Sequence, residues 1–114
     1  IFYLNDSWNS SGRSLLAPLV DKIKYSALVR IKSNLLWPTE TLHLNGFHVD
    51  YYHDSMTTGI FYLNSNDGYT EFEDGSQVES VENRFVEFNT NISHRGTSST
   101  YKEPRVLINF NYFK

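Results

Sequence analysis

Two histidines and two acids stand close together among aromatic residues in the segment FHVDYYHD, residues 47–54. Charged and imidazole groups are costly to bury against aromatic rings unless a partner compensates their lost hydration. The segment is therefore either an exposed, wet turn or a place where side chains converge on a metal ion. Residues two apart in an extended strand face the same way, so His48 and Asp50 would present one imidazole and one carboxylate on one face.

A third metal ligand would have to come from elsewhere in the chain. The other imidazole donors are His43, His53 and His94. Two histidines and one carboxylate bind one face of a metal and leave positions open, which is typical of non-haem Fe(II) oxygenases. His53 follows His48 by five positions, so strand alternation turns it to the opposite face, and His43 is predicted to be a surface residue. By itself the HVD pair is weak evidence for a metal, because a surface histidine beside a solvated aspartate explains it better.

Composition limits the classes of partner and compartment. A chain of 114 residues suits one domain. The net charge of -3 and the scattered basic residues argue against nucleic acid or an anionic membrane as the main partner. The absence of cysteine excludes disulfides and thiolate metal sites and favours a reducing, cytoplasmic location. The sequence begins at Ile1 rather than at a methionine, as a shortened chain or a partial reading frame would.

One helix is predicted near the N-terminus, after a short apolar strand or arm and a polar loop within residues 1–13. Its apolar residues recur at helical spacing: Leu15, Leu16, Leu19, Val20 and Ile23. Ser14 is expected to cap this helix, and Pro18 is expected to fall near its first turn, where a missing N–H does no harm.

From Ala27 onwards the sequence consists of short apolar or alternating segments separated by turn residues. The predicted strands are ALVRIKSNLL, TLHL, FHVDY, TGIFYLN, YTEFE, SQVESV, RFVEFN, NISHR and RVLINFNYF, with a turn at Asn45-Gly46. Many short strands after one helix predict a mainly β fold, and two sheets that close on a pocket favour a jelly roll. We expect one domain over residues 1–114, with an arm and helix in 1–26 and the jelly roll in 27–114.

The last predicted strand contains an unusual cation. Alternation places Arg105, Leu107 and Asn109 on one face and Val106, Ile108 and Phe110 on the other. If the strand is central, Arg105 points into the barrel, where an unpaired guanidinium is costly. A ligand carboxylate could satisfy it through a two-pronged ion pair. The alternative is an internal salt bridge with Glu71 or Glu87.

Taken together, the motifs resemble those of one enzyme family. HVD, GIFYLN, GYTEFEDG, NRFVEFNTNISHRG and PRVLINFNYF follow one another from Gly46 to Lys114. This order resembles the 2-oxoglutarate- and Fe(II)-dependent oxygenases, and among them the prolyl 4-hydroxylase-like branch with its short phage-encoded members. The resemblance implies a double-stranded β-helix, an eight-stranded jelly roll with the site inside one end.

The resemblance also implies roles for individual residues. His48, Asp50 and His94 match the family's iron ligands, and Arg105 matches the residue that binds the C5 carboxylate of 2-oxoglutarate. Further residues are expected to bind or line the cosubstrate pocket: Tyr62, which would donate a hydrogen bond to the same carboxylate, with Ile60, Thr58, Thr70 and Asn109. The expected cofactors are Fe(II), 2-oxoglutarate and O2, with ascorbate supporting full activity.

The implied activity is hydroxylation of a substrate C–H bond while 2-oxoglutarate is decarboxylated to succinate. Family analogy alone suggests a prolyl residue in a peptide or protein as the substrate. One rival is a jelly-roll module that binds a metal or small ligand without turnover. Another is a nucleic-acid demethylase, which would need a basic groove and base-stacking loops. Family members often place a cosubstrate contact on the strand before the dyad, and Asn34, Leu36 and Trp37 remain alternatives for it.

Overall fold

A computed structural model of the chain describes residues 3–4, 7–8 and 12–114. Its one helix is α1 (Arg13–Val20). The strands are β1 (Tyr3–Leu4), β2 (Ser7–Trp8), β3 (Ala27–Leu36), β4 (Met56–Tyr62), β5 (Tyr69–Phe72), β6 (Gln77–Glu79), β7 (Phe85–Asn89), β8 (His94–Gly96) and β9 (Arg105–Phe113). The predicted N-terminal arm is present as β1, which pairs with β2 where a loop was expected. The remainder of that arm and loop, at positions 1–2, 5–6 and 9–11, lies outside the described residues.

The strands form two antiparallel sheets, as the jelly-roll prediction requires. The larger sheet has the order β2-β1-β3-β9-β4-β7, and the smaller one has the order β6-β5-β8. Helix α1 packs on the outer face of the larger sheet, where Leu16 and Val20 join Ile31, Phe110 and Tyr112 in the main apolar core. The inner face, turned towards the smaller sheet, carries a second apolar cluster. This arrangement confirms the mainly β fold class.

Strand β9 separates these two environments by alternation. Ile108, Phe110 and Tyr112 belong to the outer core, whereas Leu107 packs with Ile60 and Tyr62 in the inner cluster. Because β9 lies between β3 and β4, it is hydrogen-bonded along both edges and its register is fixed twice. Its inward side chains are thereby held at defined positions between the sheets.

The predicted strands TLHL and FHVDY are not regular strands. This segment makes two isolated bridges to β8 and the residue after it, Leu44 with Thr97 and His48 with His94. Between the bridges the segment has one more residue than its partner. Because the N–H of Asn45 still donates to the carbonyl oxygen of Gly96, the bulge lies at residues 46–47, and the predicted turn at Asn45-Gly46 is not made. The segment nevertheless occupies the fourth strand position of the smaller sheet, beside β8.

Helix α1 differs from its prediction at both ends, since it ends at Val20 and leaves Ile23 outside. It starts after Gly12, which has no side-chain cap, so Ser14 lies inside the helix and does not cap it. Pro18 also lies inside the helix and not in its first turn. The carbonyl that Pro18 leaves without its helical partner belongs to exposed Ser14, where water can satisfy it. Leu15 is 78% exposed, although its spacing grouped it with the buried face.

Among the residues described, no helix has the length and apolar character needed to cross a membrane.

Candidate metal centre and adjoining cavity

Three side chains from distant parts of the sequence meet at one end of the space between the sheets. His48 and Asp50 come from the bulged segment and His94 from the first position of β8. Oδ1 of Asp50 lies 3.5 Å from Nε2 of His48 and 3.7 Å from Nε2 of His94. Two atoms bound at right angles to one metal, each at the usual 2.0–2.2 Å, are about 3 Å apart. The two contacts to Oδ1 of Asp50 exceed this spacing by about 0.5–0.7 Å, and all three donor atoms lie within 4.8 Å of one another.

The ring nitrogens that face away from the cluster lie near backbone carbonyls. Nδ1 of His94 is 2.9 Å from the carbonyl oxygen of Ile92, and Nδ1 of His48 is 3.4 Å from that of Gly46. A carbonyl oxygen can only accept, so it places the proton on Nδ1 and leaves the lone pair of Nε2 directed at the cluster. Metal-binding histidines are usually oriented in this way.

The carboxylate of Asp50 is held through its other oxygen. Oδ2 accepts hydrogen bonds from Nδ2 of Asn111 and from the hydroxyl of Thr58, both at 3.0 Å. Burial by itself would raise the pKa of Asp50. The hydrogen bond from Asn111, the nearby His94, the bond from Thr58 and the charge of Arg30 outweigh it and lower the pKa. Asp50 is therefore ionised at neutral pH.

For His94, in contrast, burial determines the direction of the pKa shift. Its side chain is only 4% exposed, and this burial lowers its pKa below the usual histidine value. The Ile92 carbonyl and Asp50 act in the opposite direction without reversing the shift. Two imidazoles with one carboxylate make a donor set that suits a divalent metal such as Fe(II). The His-Asp-His cluster is thus a candidate metal site with donors of the right type and orientation.

A cavity of about 120 Å³ opens from this cluster into the space between the sheets. Its lining residues are Asn34, Leu36, Asn45, His48, Ile60, Thr70, His94, Gly96, Arg105, Leu107 and Asn109. This volume is well below the ~300–1,000 Å³ of drug-sized sites, so the cavity suits a small molecule. Oδ1 of Asn109 is buried in its wall with no hydrogen-bond partner among the described residues. This unpartnered oxygen can accept a hydrogen bond from a donor in the cavity.

Arg105 supplies a fully buried cation to the cavity wall. Its guanidinium donates to the hydroxyl of Ser80 at 2.8 Å, to the carbonyl oxygen of Thr97 at 3.2 Å and, more weakly, to the hydroxyl of Thr70 at 3.5 Å. Every one of these acceptors is neutral. The positive charge also lies 5.6 Å from the ring centre of Tyr62.

The internal salt bridge considered for Arg105 does not form. Glu71 instead accepts from Nε of Arg95 at 2.7 Å, and Glu87 binds Lys114 and the hydroxyl of Tyr112. Burial lowers the pKa of Arg105, but a guanidinium stays protonated in proteins at neutral pH. Its charge is thus buried without an anionic partner among the described residues.

The predicted pocket residues divide into lining and supporting groups. Ile60, Thr70 and Asn109 line the cavity, as expected. The hydroxyl of Tyr62 lies 2.7 Å from that of Thr70, so Tyr62 reaches the cavity through Thr70. Thr58 contacts Asp50 and not the cavity wall. Their roles towards a ligand stay predictions.

Of the alternatives on the strand before the dyad, Asn34 and Leu36 line the cavity, whereas Trp37 is 70% exposed. Asn111 was missed by the sequence reading, although alternation from Arg105 through Asn109 places it on the same inward face. The contact between Asn111 and Asp50 could not be derived from spacing, because it joins two distant segments.

His43 and His53, which the sequence predicts to be surface residues and not metal ligands, lie outside the cluster. His53 is exposed and packs edge-on against Phe113, with ring centres 5.0 Å apart. His43 is exposed, and its backbone N–H donates to the hydroxyl of Ser98. Both serve as controls for the metal site.

Comparison with known proteins supports the fold. No protein-family model matches the sequence, and no curated protein matches it significantly. The chain is similar in structure to a cupin domain protein from Bordetella pertussis Tohama I, with a TM-score of 0.55 and 12% identity over 82% of this chain and 88% of that one. A cupin protein from Bacteroides fragilis gives a TM-score of 0.54 and 11% identity over 83% of this chain and 73% of that one.

A third similar structure is a protein from Neisseria meningitidis, with a TM-score of 0.51 and 14% identity over 85% of this chain and 93% of that one. At such identities the likeness concerns the fold alone, which is the jelly roll of cupin domains. The comparisons do not point to the prolyl 4-hydroxylase-like branch, so that assignment stays a prediction.

The cluster geometry predicts which histidines bind metal. His48→Ala and His94→Ala should each abolish tight Fe(II) binding, measured by anaerobic titration, while circular dichroism shows a folded protein. His53→Ala and His43→Ala are matched controls and should bind Fe(II) like the parent, because neither ring belongs to the cluster. A tenfold or larger loss in His53→Ala would show that the wrong histidines were chosen.

Proposed function

We propose that the chain is a 2-oxoglutarate- and Fe(II)-dependent dioxygenase that hydroxylates a substrate C–H bond and converts 2-oxoglutarate to succinate. The observation that carries this proposal is the buried Arg105, which has no anionic partner among the described residues and lies in the wall of the cavity that His48 and His94 also line. Removing one partner of a buried ion pair destabilises a protein by about 3–5 kcal/mol, because the remaining charge is left unpaired. A ligand carboxylate would supply the missing partner.

The residues present fit both the metal and the cosubstrate. His48, Asp50 and His94 provide the facial donor set that leaves metal positions open. When bound, Fe(II) supplies the redox chemistry with O2 that couples decarboxylation of 2-oxoglutarate to hydroxylation of the substrate. The chain binds, orients and shields the reactants.

Each part of the cavity wall has a distinct task in this proposal. Arg105 and the Thr70 hydroxyl bind the C5 carboxylate, and Tyr62 holds Thr70 in place. Ile60 and Leu107 provide apolar walls that exclude water from the middle of the ligand. The NH2 group of Asn109 is the end of its amide that would donate to the remaining oxygens of the ligand, because its unpartnered Oδ1 can only accept.

The primary substrate that we propose is a prolyl residue of a peptide or protein, on the resemblance alone. A small-molecule substrate would use the same metal and cosubstrate sites. Nucleic acid and membrane surfaces are not proposed as partners, because the net charge of -3 offers no basic face to either.

The direct test is turnover of 2-oxoglutarate without a primary substrate. The parent protein with Fe(II), ascorbate, O2 and 2-oxoglutarate should form succinate above the background given by free iron. The matched control is His94→Ala, which should give background only. Binding of both Fe(II) and 2-oxoglutarate with no succinate would instead favour the non-catalytic jelly-roll module.

The contacts of Arg105 predict graded losses of 2-oxoglutarate affinity, measured by anaerobic titration with Fe(II) present. Arg105→Ala should weaken binding by a hundredfold or more, since about 3–5 kcal/mol is lost with one partner of a buried pair. Arg105→Lys keeps the charge but loses the fork, so it should weaken binding less. Tyr62→Phe removes one neutral hydrogen bond, about 0.5–1.5 kcal/mol, or roughly tenfold at most. An Arg105→Ala variant that binds 2-oxoglutarate like the parent would refute the anchor.

Gly68 is distant from Arg105 in sequence but lies against its side chain, so a substitution at Gly68 is predicted to affect ligand binding. A Cβ at Gly68 would lie 2.5 Å from Cδ of Arg105 and 2.8 Å from the carbonyl oxygen of Ser98. Gly68→Ala should therefore displace the guanidinium and weaken 2-oxoglutarate binding at least tenfold, while Fe(II) affinity stays unchanged. Gly46→Ala is the control, because a Cβ there meets nothing within 4 Å. Equal 2-oxoglutarate affinity in the parent and Gly68→Ala would show that the guanidinium position is not critical.

A further inference from the structure

We propose that Arg30, Asn111 and Thr58 form a positioning relay that fixes the rotation of the Asp50 carboxylate and makes it a one-oxygen metal ligand. The relay rests on the metal site of the proposed function but not on its cosubstrate chemistry. None of its members is a candidate ligand. Each acts on the metal through Asp50.

The first step of the relay occupies one carboxylate oxygen. Oδ2 of Asp50 accepts from both Asn111 and Thr58, whereas Oδ1 is the oxygen nearest to the two imidazoles. An oxygen that already accepts two hydrogen bonds has little capacity left for a metal. Asp50 is thus prepared to bind through Oδ1 alone, which preserves open positions for ligands on the metal.

The second step fixes the side-chain amide that makes this contact. The two ends of an asparagine amide look alike in shape, so only its partners determine which end points where. Nε of Arg30 donates to Oδ1 of Asn111 at 3.0 Å. Since a guanidinium can only donate, it keeps the oxygen of Asn111 towards itself and the NH2 group towards Asp50. Reversal would place an amide oxygen against a carboxylate oxygen.

Thr58 is oriented by the same logic. Its oxygen lies 3.0 Å from Nδ2 of Asn111 and 2.9 Å from the hydroxyl of Thr90. A hydroxyl has one proton, and Thr58 gives it to Asp50 because an ionised carboxylate can only accept. Asn111 is then a donor to Thr58. In the contact with Thr90, Thr58 is also on the donor side, and its proton goes to the carboxylate as the stronger acceptor. All three of these side chains are fully buried, so water does not compete for the contacts.

A bulge in β3 brings Arg30 into the relay. The pairing with β9 steps from Leu28 opposite Tyr112 to Arg30 opposite Asn111, which leaves Val29 as an extra residue. Without the bulge, regular pairing would set Val29 opposite Asn111, and Arg30 would pair with Phe110 on the other face. Bulges beside functional sites often redirect a side chain in this way. The ring of Tyr51 lies 5.2 Å from the Arg30 guanidinium and limits its movement.

The relay is tested by Co(II) titration of the full chain without 2-oxoglutarate, followed by the visible absorption bands of the bound metal. Arg30→Met keeps the apolar stem but removes the donor. It should weaken Co(II) binding about 10- to 100-fold, as loss of groups that orient metal ligands usually does, and should shift the bands. Lys32→Met removes a charge two positions along the same strand and should bind like the parent, with unchanged bands.

The hydroxyl of Thr58 can be removed by one conservative substitution and restored by another. Thr58→Val keeps the shape without the hydroxyl and should lose affinity, whereas Thr58→Ser restores the hydroxyl and should recover at least half of the loss on a logarithmic scale. A merely structural role would lower the melting temperature without moving the absorption bands. Parent-like affinity and bands in both Arg30→Met and Thr58→Val would overturn the relay.

The same titration separates this inference from the proposed function. If the parent binds Co(II) and His94→Ala does not, the metal site stands, and the relay is judged by its own variants. If the parent does not bind Co(II), the metal site and the relay both fail. If the parent binds Co(II) but fails to produce succinate with Fe(II), only the oxygenase proposal fails.

Discussion

The register of β9 is the constraint on which the rest of the site depends. Its inward residues occupy alternate positions from Arg105 to Asn111, and its outward residues form the core beneath helix α1. A shift of one residue would turn every one of these side chains to the other face. It would bury two asparagines and an arginine in the apolar core and expose Phe110 to the cavity. Pairing with β3 and β4 on both edges makes such a shift costly in hydrogen bonds as well as in burial.

The chemical character of the inward side chains changes from one end of β9 to the other. Arg105 provides a positive charge, Leu107 an apolar wall, Asn109 a free amide, and Asn111 a contact to the metal-facing carboxylate. A ligand bound beside β9 would therefore meet a cation at one end and a metal at the other. An acid with a metal-binding head and a distant carboxylate matches this sequence of contacts in both charge and polarity.

Much of the fold and of the cavity wall could be predicted from sequence, because both follow from alternation within single strands. The inward face of β9 and the shared face of Ile60 and Tyr62 are examples, and the break into short strands indicated the fold class. The prediction of a cap at Ser14 was wrong because the helix starts two positions earlier, after Gly12, and includes Ser14. The irregular path through Asn45-Gly46 was missed because a bulge and a turn have similar local sequences. Arg30 was missed because a single extra residue reversed its face, and such an insertion is determined by the partner strand.

Both irregularities lie where the metal centre is assembled. The extra residue near Asn45-Gly46 precedes His48, and the extra residue at Val29 precedes Arg30. A regular strand offers side chains to one face only at every second residue, about 6.5–7 Å apart. The donor atoms that bind one ion lie about 3 Å apart, so the regular spacing of a strand does not by itself bring them together. The two bulges break the periodicity at these positions, while the unbroken β9 keeps the remainder of the cavity in register. We infer that the irregular pairing is a requirement of the site and that its cost is offset by the double-edged pairing of β9.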